Sequence, residues 1–334
     1  MIPPRFEYHA PRSVGEAVAL LSQYGGDAKL LAGGHSLLPM MKLRFAQPEH
    51  LIDINRIPEL RGICEDGNTV VIGAMTVEND LINSPILQTK VPLLAEAAKL
   101  IADPQVRNRG TIGGDIAHGD PGNDHPALSI AIEASFVLEG PNGRRTVAAD
   151  GFFLGTYMTL LEENEVMVEI HAPAFAQDTG WAYEKLKRKT GDWATAGCAV
   201  VMRKSGNTVS HVRIALTNVA PTALRVEAAE AALLGQAFTP AAVQAAADAA
   251  IAICDPAEDL RGDAEYKTAM AGEMVKRALA NNFKTAAKAP AVLAAQSGLA
   301  LVAGSLPGTP DPTNTGNVLL AGYAGNNQCG PLAR

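Results

Sequence analysis

Val14, Ala17, Val18 and Leu21 fall on one face of a 3.6-residue helix, and Ser13 with Glu16 supplies a capping-box start for it. Gly25 and Gly26 stop that helix. Short apolar runs then predict strands at 29–32, 51–54, 70–74, 136–138 and 166–170. Between them Pro92 opens a helix through Leu93, Leu94, Ala97 and Ile101 that closes at Asp103 and Pro104, and another helix is expected near 127–134. Composition shifts near 173–180. Beyond it an antiparallel meander is expected, with 198–202, a turn at Ser205, Gly206 and Asn207, and alternating Val212, Ile214 and Leu216. Helices follow at 223–234, at 240–253 entered from Thr239, and at 264–280. Strands grouped ahead of helices predict an α+β arrangement for this second domain.

The chain has 334 residues, enough for about two domains and a sizeable core. Its formal net charge of −7 argues against a nucleic-acid partner, which would call for a basic excess. No apolar run is long enough to span a bilayer, and the first residues do not form a secretion signal. The expected location is therefore the cytoplasm, including the inner face of the cell membrane as a peripheral site. Cys64, Cys198, Cys254 and Cys329 stand far apart, so no zinc or iron–sulfur spacing joins them, and a packing role is expected. From 289 to 334 the only charged side chains are Asp311 and Arg334, and that stretch reads as a poorly ordered extension. The division expected is 1–177, 178–281 and a low-charge tail at 282–334.

Two glycine pairs carry the chemical signal. Ala32, Gly33, Gly34, His35 and Ser36 follow a strand; Thr111, Ile112, Gly113, Gly114 and Asp115 open the stretch that ends near Asp124. Paired glycines let backbone N–H groups approach an anion with no Cβ in the way, and Ser36 and Thr111 add hydroxyls. A tight turn alone explains either pair; two pairs suggest a clasp on a diphosphate. Asp124 is a candidate acceptor for ribose or adenine groups. His118, Asp120, Asp124 and His125 are an alternative metal cluster, less natural in so glycine-rich a setting. P-loop, Rossmann, zinc-protease and nucleophile-elbow motifs are missing. Lys185 to Lys189 reads either as a solvated basic face or as a cationic strip beside an anionic cofactor or partner, ending at Trp193.

These segments, with Pro39, Met40, Met41 and Lys42 after the first pair, resemble the FAD-binding medium subunits of molybdenum hydroxylases, the xanthine oxidase family. The wording of 35–42 and 119–124 is nearest to the branch that oxidises carbon monoxide, and the resemblance covers residues 1–279. It implies an α+β fold: a vanillyl-alcohol-oxidase-type (PCMH-type) FAD domain in two lobes, then a smaller C-terminal CO-dehydrogenase-flavoprotein-like domain.

The resemblance further implies one FAD held by Ala32, Gly33, Gly34, His35 and Ser36 on one side and Thr111, Ile112, Gly113, Gly114 and Asp115 on the other. Asp124 would serve the nucleotide half, Met167 would lie near adenine through its backbone, and Lys185 and Trp193 would lie near the flavin ring. No catalytic residue and no metal ligand is expected in this chain. The implied partners are a large subunit with a molybdenum–copper cofactor and a small subunit with two [2Fe–2S] clusters, in a dimer of heterotrimers. Electrons released as carbon monoxide and water become carbon dioxide would pass through the clusters to FAD and on to a quinone or other acceptor. The alternatives are the FAD subunit of another molybdenum hydroxylase, for a purine, aldehyde or N-heterocycle, and a nucleotide-binding module with no redox role.

Overall fold

A computed structural model describes residues 2–286. The first lobe is a three-stranded parallel sheet in the order Glu7–His9, His50–Asp53, Ala28–Leu31. The amphipathic helix Val14–Tyr24 covers it, burying the four residues the spacing selected. Ser13 accepts from the Glu16 N–H, whereas Glu16 reaches back to the N–H of Arg12 rather than that of Ser13. Gly25 ends the helix at φ 53°.

The second lobe is a five-stranded antiparallel sheet in the order Ile63–Asp66, Thr69–Gly73, Val166–Pro173, Ser135–Gly140, Gly143–Ala148. Its central strands are buried on both faces, while the edge strand Gly143–Ala148 is largely exposed. Val137, Val166 and Val168 join the core shared with the first lobe, while Phe136, Leu138, Met167 and Ile170 join a second core beneath the helices Pro92–Ala98, Ile112–His118 and Asp124–Ala131. Alternating side chains let one sheet serve two cores.

The C-terminal domain is a four-stranded antiparallel sheet, Gly180–Leu186, Ala196–Ser205, Thr208–Thr217, Leu224–Arg225, in that order. Cys198, Val200, Met202, Ile214 and Leu216 face its own helices, Glu227–Leu233, Pro240–Ile251 and Ala264–Ala286. Trp181, Tyr183, Ala199, Val201 and Ala215 face the other way and complete the core of the second lobe. The two domains therefore share a core across this sheet.

Several expectations need correcting. The helix from Pro92 ends at Ala98, with Ala102 at φ 44°; the helix near 127–134 lies earlier, at Asp124–Ala131. The helix of 223–234 begins only at Glu227, and the last helix runs past 280 to Ala286. Cys198 is a buried free thiol whose burial raises its pKa, and Cys254 is free and half-buried. Cys329 and the expected extension at 289–334 lie outside the described residues. Among the described residues no helix is long and apolar enough to cross a membrane.

Candidate functional site

A cleft of about 800 Å³ opens where the two lobes and the C-terminal domain meet, on the scale of cofactor sites. Both glycine segments line it, and they lie side by side. A Cβ at Gly33 would collide with the carbonyl of Arg109, which precedes the second segment. One at Gly114 would come 3.3 Å from the Ala32 Cβ and 2.7 Å from Thr111 Oγ1, and one at Gly113 would come 2.5 Å from the Ala74 Cβ. Gly34 sits at φ +82°, where glycine is favoured. The glycines are thus required first for the approach of backbone to backbone.

The two segments differ in what their N–H groups do. In the second, Ile112 donates to the Thr76 carbonyl (3.1 Å), Gly113 to the Ala74 carbonyl (2.9 Å), Gly114 to Thr111 Oγ1 (3.3 Å) and Asp115 to the Thr111 carbonyl (3.0 Å). Thr111 is the N-cap of the helix Ile112–His118, so this stretch is a helix start rather than an open loop. In the first, no group among the described residues accepts from the N–H groups of Gly34, His35 or Ser36, and His35 and Ser36 are exposed at the cleft wall. The free donors therefore come from one bend, while the other closes against it and presents Thr111, Gly114 and Asp115.

Of the other sequence candidates, Ala32, Asp124, Met167, Lys185 and Trp193 also line the cleft. Ile112 does not; its side chain is fully buried in the second core. Asp124 is buried and engaged: Lys185 Nζ lies 2.6 Å from Oδ2, and the Tyr183 hydroxyl donates to Oδ1. The basic strip divides accordingly. The Lys185 side chain is buried, Lys187 is half-buried with Nζ on the Leu100 carbonyl at 3.0 Å, and Arg188 and Lys189 are exposed. Burial, helped by nearby Lys185, lowers the Lys187 pKa.

The cluster weighed as a metal site turns to separate partners. His125 Nε2 meets Glu78 at 2.9 Å, Asp124 meets Lys185, the His118 ring lies 5.0 Å from that of Tyr157, and Asp120 accepts from the Gly122 N–H. Asp115, at the cleft wall, is raised to about 7, chiefly because it is withdrawn from water. Burial works against charge on His125, but the Glu78 carboxylate overrides it and holds the imidazole up at about 9.

Trp193 is half exposed at the cleft. Its Nε1 donates to Asn123 Oδ1 (3.3 Å) and the Arg261 guanidinium stands 5.3 Å from its ring centre. Arg261 and Arg188 also bind Asp192; although burial pushes the other way, they hold its carboxyl below the ordinary value. Glu78 and Arg261 escaped sequence reading. Each comes from a different part of the chain, and no spacing pattern joins them to the glycine segments.

Two lobes and a third domain closing on a cleft with unengaged backbone donors define a dinucleotide-cofactor protein of mixed α+β fold. Residues 4–175 match the model of the FAD binding domain in molybdopterin dehydrogenase, and 181–282 match the CO dehydrogenase flavoprotein C-terminal domain. The chain belongs to the family of FAD-binding subunits of molybdopterin dehydrogenases, oxidoreductase subunits that work within complexes. It is 88% identical over 279 residues to the carbon monoxide dehydrogenase medium chain of Hydrogenophaga pseudoflava, covering 84% of this chain and 97% of that one. It is 36% identical over 276 residues to the nicotine 6-hydroxylase medium subunit of Paenarthrobacter nicotinovorans, covering 83% and 96%. Its fold matches carbon monoxide dehydrogenase from Hydrogenophaga pseudoflava with a TM-score of 0.85, over 85% of this chain and 99% of that one. The match to reconstituted CO dehydrogenase from Oligotropha carboxidovorans has a TM-score of 0.84 at 50% identity, over 85% and 100%.

Proposed function

We propose that this chain is the FAD-binding medium subunit of a carbon monoxide dehydrogenase. It receives electrons from the [2Fe–2S] clusters of a small partner subunit and passes them to a quinone or similar acceptor. The carbon monoxide step belongs to a large subunit holding a molybdenum–copper cofactor, in a cytoplasmic dimer of heterotrimers. The observation that carries this reading is the cleft between two abutting glycine bends, one of them with three unengaged N–H groups. The 88% identity to a carbon monoxide dehydrogenase medium chain supports carbon monoxide over a purine, aldehyde or N-heterocycle.

Gly34, His35 and Ser36 would take the diphosphate through their N–H groups, with Ser36 and Thr111 hydroxyls beside it. Lys185, neutralised by Asp124, would stiffen the wall where the C-terminal domain meets the cleft, and Trp193 would offer its ring to a planar group. Bound flavin supplies exchange between one-electron and two-electron carriers. The chain's own part is to hold that cofactor, keep water from one side of it, and fix its distance to incoming electrons.

The test uses the assembled complex. Under anaerobic conditions carbon monoxide should bleach the flavin absorption band near about 450 nm. A band that stays unbleached by carbon monoxide but bleaches with an N-heterocycle or aldehyde would move the chain to another branch of the family. A complex with no such band would favour a module without a redox role.

A further inference from the structure

Away from the cleft, Glu7, His9 and His50 form the one group among the described residues where three metal-ligating side chains of this kind converge. Their placement follows from strand geometry. Glu7 and His9 are two residues apart on one strand and so share a face, and the parallel register sets Glu7 against His50. All three side chains therefore emerge on one side of the sheet edge, beside the end of the helix Val14–Tyr24.

The distances suit a small cation. His9 Nε2 and His50 Nδ1 are 3.1 Å apart. Two nitrogens bound to one zinc ion at about 2.0–2.1 Å stand roughly 2.9–3.4 Å from each other. Glu7 Oε2 is 4.0 Å from His50 Nδ1, and the Glu7 side chain is 70% exposed, so a small rotation closes the remaining gap. The His50 ring is held in place by Tyr24, stacked on it at 3.6 Å and 11°, and Tyr24 lies 5.2 Å from His9. The other described histidines paired with a carboxylate, His125, His171 and His211, each meet it without a second imidazole.

We propose that Glu7, His9 and His50 form a binding site for a divalent ion of the zinc class, clamping the N-terminal strand to the sheet. Two imidazoles and one carboxylate favour such an ion over magnesium or calcium, which prefer oxygen donors. A proton shared between His9 and His50 moves to the other nitrogen of its ring when the ion binds, so both facing nitrogens donate lone pairs. Water completes the coordination, and the strand Glu7–His9, otherwise a three-residue edge, gains a fixed link to His50.

The test is zinc binding to the chelator-treated complex, measured by equilibrium dialysis against a competing indicator. The wild type should bind one zinc per medium chain, and His9→Gln or His50→Gln should weaken that site by at least about tenfold. Glu7→Gln should weaken it less. Zinc should also slow amide exchange at Glu7–His9 in the wild type and leave it unchanged in the His9→Gln/His50→Gln double variant. Circular dichroism of that variant checks that the fold survives. Unaltered zinc stoichiometry and affinity in a folded double variant, or no zinc-dependent protection of Glu7–His9 in the wild type, would overturn the assignment.

Discussion

Lys185 Nζ lies 2.6 Å from Asp124 Oδ2, with the two side chains 1% and 5% exposed, and this ion pair joins the C-terminal sheet to the helix that borders the cleft. The Tyr183 hydroxyl donates to the other carboxylate oxygen, and burial with that carboxylate close by raises the Tyr183 pKa strongly. Removing one member of a buried pair leaves the other charged without a partner, at about 3–5 kcal/mol. Asp124→Ala should therefore lower stability by that amount, strand Lys185, and loosen the contact between domains. Lys185→Met should cost less, because Tyr183 still satisfies Asp124. Denaturant unfolding of both variants in the complex checks the order; equal costs would mean that the pair does not set this contact.

Glycines in this chain do different work, and alanine substitution separates them. At Gly33 a Cβ runs into the Arg109 carbonyl, a backbone atom that cannot rotate away, so Gly33→Ala should push the two bends apart. Overpacking of this kind costs about 1–3 kcal/mol, and cofactor content should fall with it. Gly15 is exposed in the helix Val14–Tyr24 with nothing within 4 Å of its Cβ position. Gly15→Ala should stabilise by about 0.4–1 kcal/mol. Melting curves of the two variants should shift in opposite directions; a shared direction would sink the distinction.

Much of the fold was legible because its signals are local. Ser13, the face of Val14 to Leu21 and Gly25 mark one helix completely, and the alternating 212–216 run and the Thr239 cap mark others. The strand Gly143–Ala148 went unread because its residues are largely exposed and carry no apolar alternation. The helices Leu37–Lys42 and Ile112–His118 were hidden by the glycines and proline that sequence reasoning assigns to loops; tertiary contacts, such as the Gly113 N–H on Ala74, override that preference. At the cleft, both glycine bends were visible as motifs. That only one keeps free donors depends on Thr76 and Ala74, residues 36 and 39 positions before the N–H groups they accept from, and no spacing rule reaches that far.

Stability should decline as pH rises, for reasons that can be assigned to two residues. The Asp115 carboxyl sits at about 7 against an ordinary 3.8, so within that window the folded chain holds a proton the unfolded chain has released. His125 sits at about 9 against 6.5; its ion pair with Glu78 contributes fully below 6.5 and is lost as pH climbs through 9. Both effects have the same sign. Asp115→Asn should flatten the lower limb of the profile, read as unfolding midpoints from about pH 5 to about pH 9. It should reduce the upper limb only in part, because Glu78 contributes more than Asp115 to raising His125. An unchanged lower limb would assign that slope elsewhere.

Trp193 gives the cofactor reading an optical handle. The sequence has two tryptophans: Trp181 is buried in the core, while Trp193 is half exposed on the cleft wall, braced by Asn123 and Arg261. A planar ring system entering the cleft would meet the indole of Trp193 and not that of Trp181. Adding FAD to the deflavinated complex should therefore quench emission, and Trp193→Phe should remove most of that quenching while the Trp181 signal persists. Loss of the indole contact, worth about 0.5–1.5 kcal/mol, should weaken FAD binding by roughly two- to tenfold. If Trp193→Phe quenched as the wild type does, with unchanged affinity, the ring would have to lie along a different wall of the cleft, and the role given to Trp193 would pass to another residue there.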